Sequence, residues 1–551
     1  MARVLGGCPV MPHAELFVRG ARLWSDGAAR RGDDSIAVQS GRIVARGPSA
    51  ALADWIGPAT RIVEADGRTL TPGLCDAHIH LLQWARSLDE IGLLGASSRD
   101  EVATRLATAI AARPDRPVVV GRGWDANGWP GPPDRASLDR VAPRTPVVLH
   151  SKDFHSVWVN GAALERCGIH AGTADPAGGR IVRDPAGVPT GLLLENAVRL
   201  VAPLLARNDA AADARLLREA VRRLHALGIT SVHDFEGPFA HRLLRDLATG
   251  ETPGLRVVMH LAHEGLEPAR AIGLASGTGD DAFRIGAVKL FADGTLGSGT
   301  AAMLAPFEGT ANTGMELLPK DDLTELVRRA FGAGLSVAVH AIGDRAVRNV
   351  LDAFEASRER IAALALPPRI EHLQLVDPAD MARLAALGVG ASMQPVHATE
   401  DAVMARAKWG TRIAHSYPWR TLLDHGARLA FGSDAPVESP DVALGLAAAV
   451  TRIAPDPAAR GGHSAFVPEQ RVSLDEALSA YTEGAARLGG VWPRLGSLRP
   501  GSHADFALWS DDLHALPPER LGEARVALTA IGGRIVHEAR ALAAAPAGRM
   551  A

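Results

Sequence analysis

The chain has 551 residues, too many for one ordinary domain and enough to bury several large cores. Its 59 Lys and Arg nearly balance 62 Asp and Glu, leaving a formal net charge of −3, which speaks against nucleic acid or an anionic membrane as partner. No run of about 18 apolar residues marks a spanning helix, and the 3 cysteines, Cys8, Cys75 and Cys167, form a sparse, odd set that excludes a disulfide framework and fits a reducing cytoplasm.

At the N-terminus, Leu5-Gly6-Gly7-Cys8 has the outline of a lipoprotein cleavage site, but the few residues before Cys8 cannot hold an apolar signal region. Residues 1–71 carry short β-prone runs at 16–18, 35–38, 42–45 and 62–65, with Gln39-Ser40-Gly41-Arg42 as a hairpin turn. They read as the N-terminal part of a β-sandwich. Residues 496–540, with strands near 505–508 and 526–536 around Gly532-Gly533, read as its C-terminal part, and 541–551 as a disordered tail.

Residues 72–84 hold the first strand of a central unit. Thr71-Pro72-Gly73-Leu74-Cys75-Asp76-Ala77-His78-Ile79-His80 begins at a turn and runs apolar into two histidines one residue apart. On a strand, residues i and i+2 share a face, so His78 and His80 present two imidazoles side by side. Neutral imidazole is a good ligand for zinc and similar metals, although a lone His-x-His is weak evidence. Cys75 reads as strand packing rather than a ligand.

Residues 85–195 read as an inserted α+β lid domain. A helix at 101–112 is followed by a strand at 118–121, a Pro/Gly-rich stretch at 129–134 and a strand at 147–149. Next comes Lys152-Asp153-Phe154-His155-Ser156-Val157-Trp158-Val159-Asn160, where polar groups alternate with large aromatics. That is the composition of a pocket wall, and equally of a polar loop satisfied within a small domain. Glycines at 178–179 and 187–191 predict a hairpin.

From 196 to 495 one phrase recurs: an Ala/Leu-rich helix, a stopping glycine, then a β-prone run closing on a polar residue. Gly228, Gly334, Gly388 and Gly426 precede strands at 229–234, 335–339, 389–393 and 427–431. Strands at 256–260, 285–291 and 369–372, together with the His78 strand, complete a (β/α)8 TIM barrel, whose chemistry sits at strand C-terminal ends. Those ends carry His78, His80, Lys289, His340, His372 and Asp434. Any one histidine is more often a satisfied core residue. Together they point to a metal-holding cup.

This set resembles the amidohydrolase superfamily of metal-dependent hydrolases, and within it the YtcJ-like branch that includes N-substituted formamide deformylases. The resemblance rests on the 72–80 motif, Gly123-Trp124-Asp125, Asp153-x-His155-x-x-Trp158-Val159-Asn160, Gly191-x-x-x-Glu195-Asn196-Ala197 and the run from Val288-Lys289 to Gly294-Thr295. It continues through His340-Ala341-Ile342-Gly343-Asp344-Arg345-Ala346, Arg369-Ile370-Glu371-His372, Gly432-Ser433-Asp434-Ala435-Pro436-Val437 and the tail 495–505. Ser502-His503, where most members carry Lys or Gln-like residues, is a departure remote from the metals.

The resemblance implies one or two divalent cations, zinc first. His78 and His80 bind one and His340 and His372 a second; if only one is held, His372 orients substrate instead. Lysine as it stands cannot ligate a metal, so Lys289 is expected to be carboxylated and to bridge the two. An ion pair of Lys289 with Asp293 or Glu195 is the alternative, and Glu195 is itself a second candidate for the bridge or for substrate contact. Asp434 is expected to bind the first metal and to serve as general base toward a metal-activated hydroxide. Asp153, His155, Trp158 and Asn160 are expected to close the mouth and contact substrate. Asp293, Asp344 and Arg345 are expected to support the ligands from behind, with a local salt bridge or helix cap as the alternative for the last two. His415 and Tyr417 lie within reach of the pocket on this reading.

The implied activity is hydrolysis of a C–N bond in an amide, formamide or cyclic amide. A deaminase or esterase on the same site is the nearest alternative, and a catalytically inactive amidohydrolase-fold scaffold the alternative of another class. The expected partner is a small-molecule substrate, and a homodimer is one admissible assembly.

Overall fold

The computed structural model describes residues 13–29, 33–205, 209–250, 254–454 and 464–540. Cys8 with its surrounding stretch and the tail 541–551 lie outside them.

Eight strands form the central sheet: β1 (Leu74–Ile79), β2 (Ile229–Asp234), β3 (Arg256–Ala262), β4 (Phe283–Phe291), β5 (Val337–Ala341), β6 (Arg369–His372), β7 (Gly390–Met393) and β8 (Arg428–Phe431). Neighbours pair in parallel from β1 through to β8. The barrel is nearly closed. Beyond the end of β8, Asp434 N–H donates to His78 O (2.7 Å) and His80 N–H to Ala435 O (2.9 Å). Val232, Val288, Val339, Ile370 and Ala391 are fully buried, as strands covered on both faces require. The helix-stopping glycines behave as their positions predict: Gly388 (φ 68°) and Gly426 (φ 82°) take the left-handed conformation that ends a helix and starts the next strand.

The flanking β layer is one nine-stranded sheet fed by both ends of the chain. Its main path runs Arg534–Glu538, Val526–Ile531, Phe506–Trp509, Thr69–Pro72, Leu16–Ser25, Asp34–Gln39, Arg42–Pro48. Leu16, Val18, Ile36, Leu70, Phe506 and Leu528 pack into a single core beneath it, so neither end completes that core alone.

The insertion carries its own six-stranded sheet, in the order Gly179–Arg183, Pro189–Glu195, Ser156–Val159, Val147–Ser151, Val119–Trp124, Ile91–Gly92. It is fastened to the mouth of the barrel by polar contacts. Lys152 Nζ lies 3.1 Å from Glu400 and 2.8 Å from Glu438, and Arg122 donates to Pro436 O (2.7 Å). Trp158 and Asn160 do not face the mouth, which corrects the expectation for both. Strand alternation turns Trp158 into the insert's own core, edge-on to Trp124 and Trp129, with its indole N–H donating to Asp134 O (2.8 Å). Asn160 caps the helix Gly161–Arg166 by accepting from Ala163 N–H (3.0 Å), and donates to Ala142 O (2.7 Å) and Thr145 O (2.9 Å). No described helix is long and apolar enough to cross a membrane.

Candidate metal centre

Asp76 and His78 share the inner face of β1. Asp76 accepts from Ser433 N–H (2.9 Å), from the Ser433 hydroxyl and from His78 N–H (3.2 Å), binding the end of β1 to the chain leaving β8. Burial pushes its carboxyl up to about 6. One residue further on, Asp434 takes a left-handed backbone (φ 59°), a conformation that costs a non-glycine residue about 1 kcal/mol or more. That turn aims its carboxylate at the first two histidines: Oδ1 lies 3.5 Å from His78 Nε2 and 3.5 Å from His80 Nε2. Zinc bonds of about 2.0–2.2 Å at tetrahedral angles set ligand atoms roughly 3.3–3.6 Å apart, so this spacing suits one cation.

The tautomers fit as well. His78 Nδ1–H donates to Glu371 Oε2 (2.7 Å), which leaves the Nε2 lone pair facing Asp434. Glu371 is held in turn by Arg369, whose guanidinium also donates to Ala77 O (2.7 Å), to the Ser392 hydroxyl and to His233 Nδ1 (2.7 Å). Burial pushes the Glu371 carboxyl up, but Arg369 and Lys289 outweigh it and hold it at about 2. Burial, reinforced by the Lys289 ammonium, keeps His78 and His340 well below the usual histidine value and His80 at about 3. For His372 burial acts first and the neighbouring histidines add to it. All four rings are therefore neutral, the form that ligates metal.

His372, also left-handed (φ 78°), sends Nδ1–H to Gln394 Oε1 (2.8 Å). Its ring centroid lies 5.0 Å from that of His78 and 4.5 Å from that of His340. His340 is turned aside: its Nε2–H donates to Gly294 O (3.0 Å) and stands 3.6 Å from Asp293 Oδ1. Lys289 is buried over the faces of Phe235 (4.7 Å) and Phe291 (4.8 Å). Burial lowers it to about 8. It pairs with neither Asp293 nor Glu195, so that alternative is overturned. Asp293 instead accepts three backbone N–H groups, from Ala302 (2.9 Å), Ile342 (3.0 Å) and Gly343 (2.8 Å), stitching the end of β4 to the loop after β5. Glu195 is committed to His155 Nδ1–H (2.6 Å) and to the hydroxyls of Ser298 (2.8 Å) and Thr300 (2.8 Å).

His155 hangs from the insert over the cup, its ring centroid 6.2 Å from that of His340. Burial lowers its pKa, but the bond to Glu195 outweighs burial and raises it. Asp153 accepts from Ser151 (2.6 Å) and Thr295 (3.3 Å) and shapes the same loop. Asp344 accepts from Leu304 N–H (2.8 Å), and Arg345 contributes its N–H to Ala302 O (3.1 Å); both hold the loop behind β5 rather than the imidazoles. Tyr417 is buried against Phe466 and donates to Asp401 Oδ2 (2.7 Å), away from the cup.

Sequence reasoning missed Glu371, Arg369, Gln394 and His397. The first two stand inside the quoted Arg-Ile-Glu-His motif, and a charged pair two apart on a barrel strand was the signal that one inward face is polar. His397, on the short helix Pro395–Glu400 after β7, is 7% exposed and neither ring nitrogen has a hydrogen-bond partner.

The arrangement agrees with known proteins. Residues 61–537 match the Amidohydrolase family. The putative amidohydrolase YtcJ of Bacillus subtilis is 30% identical over 92% of this chain and 96% of its own, and the N-substituted formamide deformylase of Arthrobacter pascens 27% identical over 95% and 98%. The crystal structure of a metal-dependent hydrolase from Pyrococcus horikoshii superposes with a TM-score of 0.74 at 26% identity, covering 91% of this chain and 99% of that one. With a match across most of its length, the chain belongs to the Amidohydrolase family, in its YtcJ-like branch.

Proposed function

We propose that the protein hydrolyses a C–N bond of a small amide, formamide or cyclic amide with a divalent cation, zinc first, held by His78, His80 and Asp434. The observation that carries this reading is the convergence of two neutral imidazoles and one carboxylate, all within 4.8 Å of one another, from opposite ends of the barrel sequence. His78 and His80 both turn Nε2 toward Asp434 Oδ1 at 3.5 Å, and two neutral imidazoles around one carboxylate are a donor set that a borderline-soft cation satisfies. The formamide deformylase relative supports a carboxamide as the substrate class.

A bound cation supplies a Lewis acid and a water of lowered pKa. The residues do the rest. Asp434, pushed up to about 7 by burial against the lowering pull of Lys289, takes the proton of the attacking water and returns it to the leaving nitrogen. His155, with Nδ1 committed to Glu195, turns its other edge to substrate from the insert side and holds a proton there. Lys289 supplies a basic amine near neutrality. Addition of carbon dioxide at Nζ with loss of a proton makes it an anion beside the imidazoles.

Screening N-formyl, N-acyl and cyclic amides with wild type and Asp434→Asn tests the reading. At least one amide is hydrolysed by wild type, and its turnover falls by about 100-fold or more in the variant, the scale of a lost general base. Equal turnover by both proteins refutes the role of Asp434.

A further inference from the structure

We infer that Phe291 is the wall against which the acyl group of the substrate packs, so that the protein prefers amides whose acyl side is apolar, an aromatic acyl group first. The inference rests on the hydrolase reading above and deepens it, because it says which end of the amide carries the apolar group.

Three observations support it. The first is exposure. Every residue of β4 is buried except the last, Phe291, which keeps 42% of its surface open. A ring open on the outer surface of a protein calls for no explanation. This one is not there, because strand alternation puts Phe291 on the inward face together with Lys289. The second is its surroundings, which are those of the cup. Lys289 Nζ lies 4.8 Å from the ring centroid and the His340 ring 5.4 Å, and the β4–β5 register sets Phe291 beside His340. Its open surface therefore faces the mouth at the C-terminal end of the barrel, where substrate enters.

The third observation is direction. In the strand order β1 to β8, β4 lies four places from β8 whichever way the circuit is counted. Phe291 and Asp434 thus stand on opposite sides of the cup. Asp434 returns its proton to the leaving nitrogen, which lies on its own side. The other substituent of the carbonyl carbon, the acyl group, then extends toward β4. A ring face takes apolar groups by burying their area, and aromatic ones by stacking as well. A formyl group, with only hydrogen on the carbonyl carbon, leaves this wall uncovered. Lys289 beside the ring turns a cationic acyl side chain away.

Two pairs of substrates separate the ends of the amide: N-phenylacetyl against N-acetyl on one amine, and N-benzyl against N-methyl on one acyl group. With full-length, zinc-supplemented protein, kcat/KM is expected to favour phenylacetyl over acetyl by about 10-fold or more. Phe291→Ala is expected to bring that ratio near one and to leave the benzyl-to-methyl ratio as in wild type. Calorimetric titration with phenylacetate, the acyl product, gives a readout without turnover: its Kd is expected to rise by about 10-fold in Phe291→Ala, while that of benzylamine stays. Phe291→Leu keeps apolar bulk against Lys289 and His340, and replaces the Ala variant if that melts lower than wild type or loses zinc. It is expected to cut the phenylacetyl-to-acetyl ratio by about 2–10-fold, the worth of an aromatic pair. A wild-type ratio near one, a ratio that both substitutions leave unchanged, or a fall in the benzyl-to-methyl ratio instead overturns the assignment while the hydrolase reading stands. A wild type that hydrolyses no amide at all removes the hydrolase reading as well.

Discussion

At the scale of single residues, the cup depends on side chains that break the rule for their strand. In β6, Arg369 and Glu371 share the inward face, so alternation alone turns His372 toward the surrounding helices. Its left-handed backbone (φ 78°) re-aims the ring inward, and Asp434 (φ 59°) does the same after β8. This explains what was legible. His78 and His80 follow plain alternation and announce themselves as a pair. Glu371, next to His372, has no place on the same face until the strained turn is seen. Glu371 also gives a sharp test. Its carboxylate fixes the His78 tautomer, so Glu371→Gln is expected to weaken zinc affinity by about 10–100-fold, measured by competition with a chromophoric chelator at constant pH. Unchanged affinity removes Glu371 from the site.

At the scale of elements, the critical contact is the seam between the chain leaving β8 and β1. Gly432 is there because nothing larger fits: a Cβ at this position would lie 2.4 Å from His78 N and 3.1 Å from Ala77 C. Gly432→Ala is therefore expected to force the seam apart at a cost of about 1–3 kcal/mol, typical of overpacking, and to loosen the His78–Asp434 pairing with it. Differential scanning fluorimetry should show a lower Tm, and metal analysis less bound zinc. A variant with wild-type Tm and full zinc would show that the seam tolerates opening. The helix–glycine–strand phrase made the eight barrel units readable, because a stopping glycine and a β-branched run are local signals. The insert was less readable. Trp158 and Asn160 stand in a stretch with the composition of a pocket wall, but their partners, Trp124, Trp129, Ala142 and Thr145, are brought to them only by the tertiary fold of that domain.

At the scale of the whole molecule, buried imidazoles set the pH response. The rings of His78, His233, His260, His340 and His372 are held well below the usual histidine value, first by burial. In the unfolded chain they take up protons near pH 6.5; in the fold they do not. Their contribution to stability is thus full above pH 6.5 and is lost as the pH falls below it. His80 and His397, held at about 3, and His150 and His225, held at about 4, act in the same sense, again first by burial. Buried carboxyls act in the opposite sense: Asp76 and Asp401 at about 6, Glu236, Asp293 and Asp434 at about 7, and Asp234, raised well above the usual value, stabilise the acid side and fade as the pH rises. The more numerous imidazoles win, so the Tm of metal-stripped protein is expected to drop between pH 7 and pH 5. A flat or rising Tm over that interval would mean that the rings are solvated in solution.

The sheet built from both ends has a consequence for how the chain is made. Thr71 pairs with Ala507, 436 positions later, and His78 meets Asp434 only across the full circuit of strands. A ribosome therefore releases the first half of this structure long before its partners exist. The nascent edge at Thr69–Pro72 waits for Phe506–Trp509 throughout translation, and a message truncated before codon 434 yields a fragment without the carboxylate that His78 and His80 face.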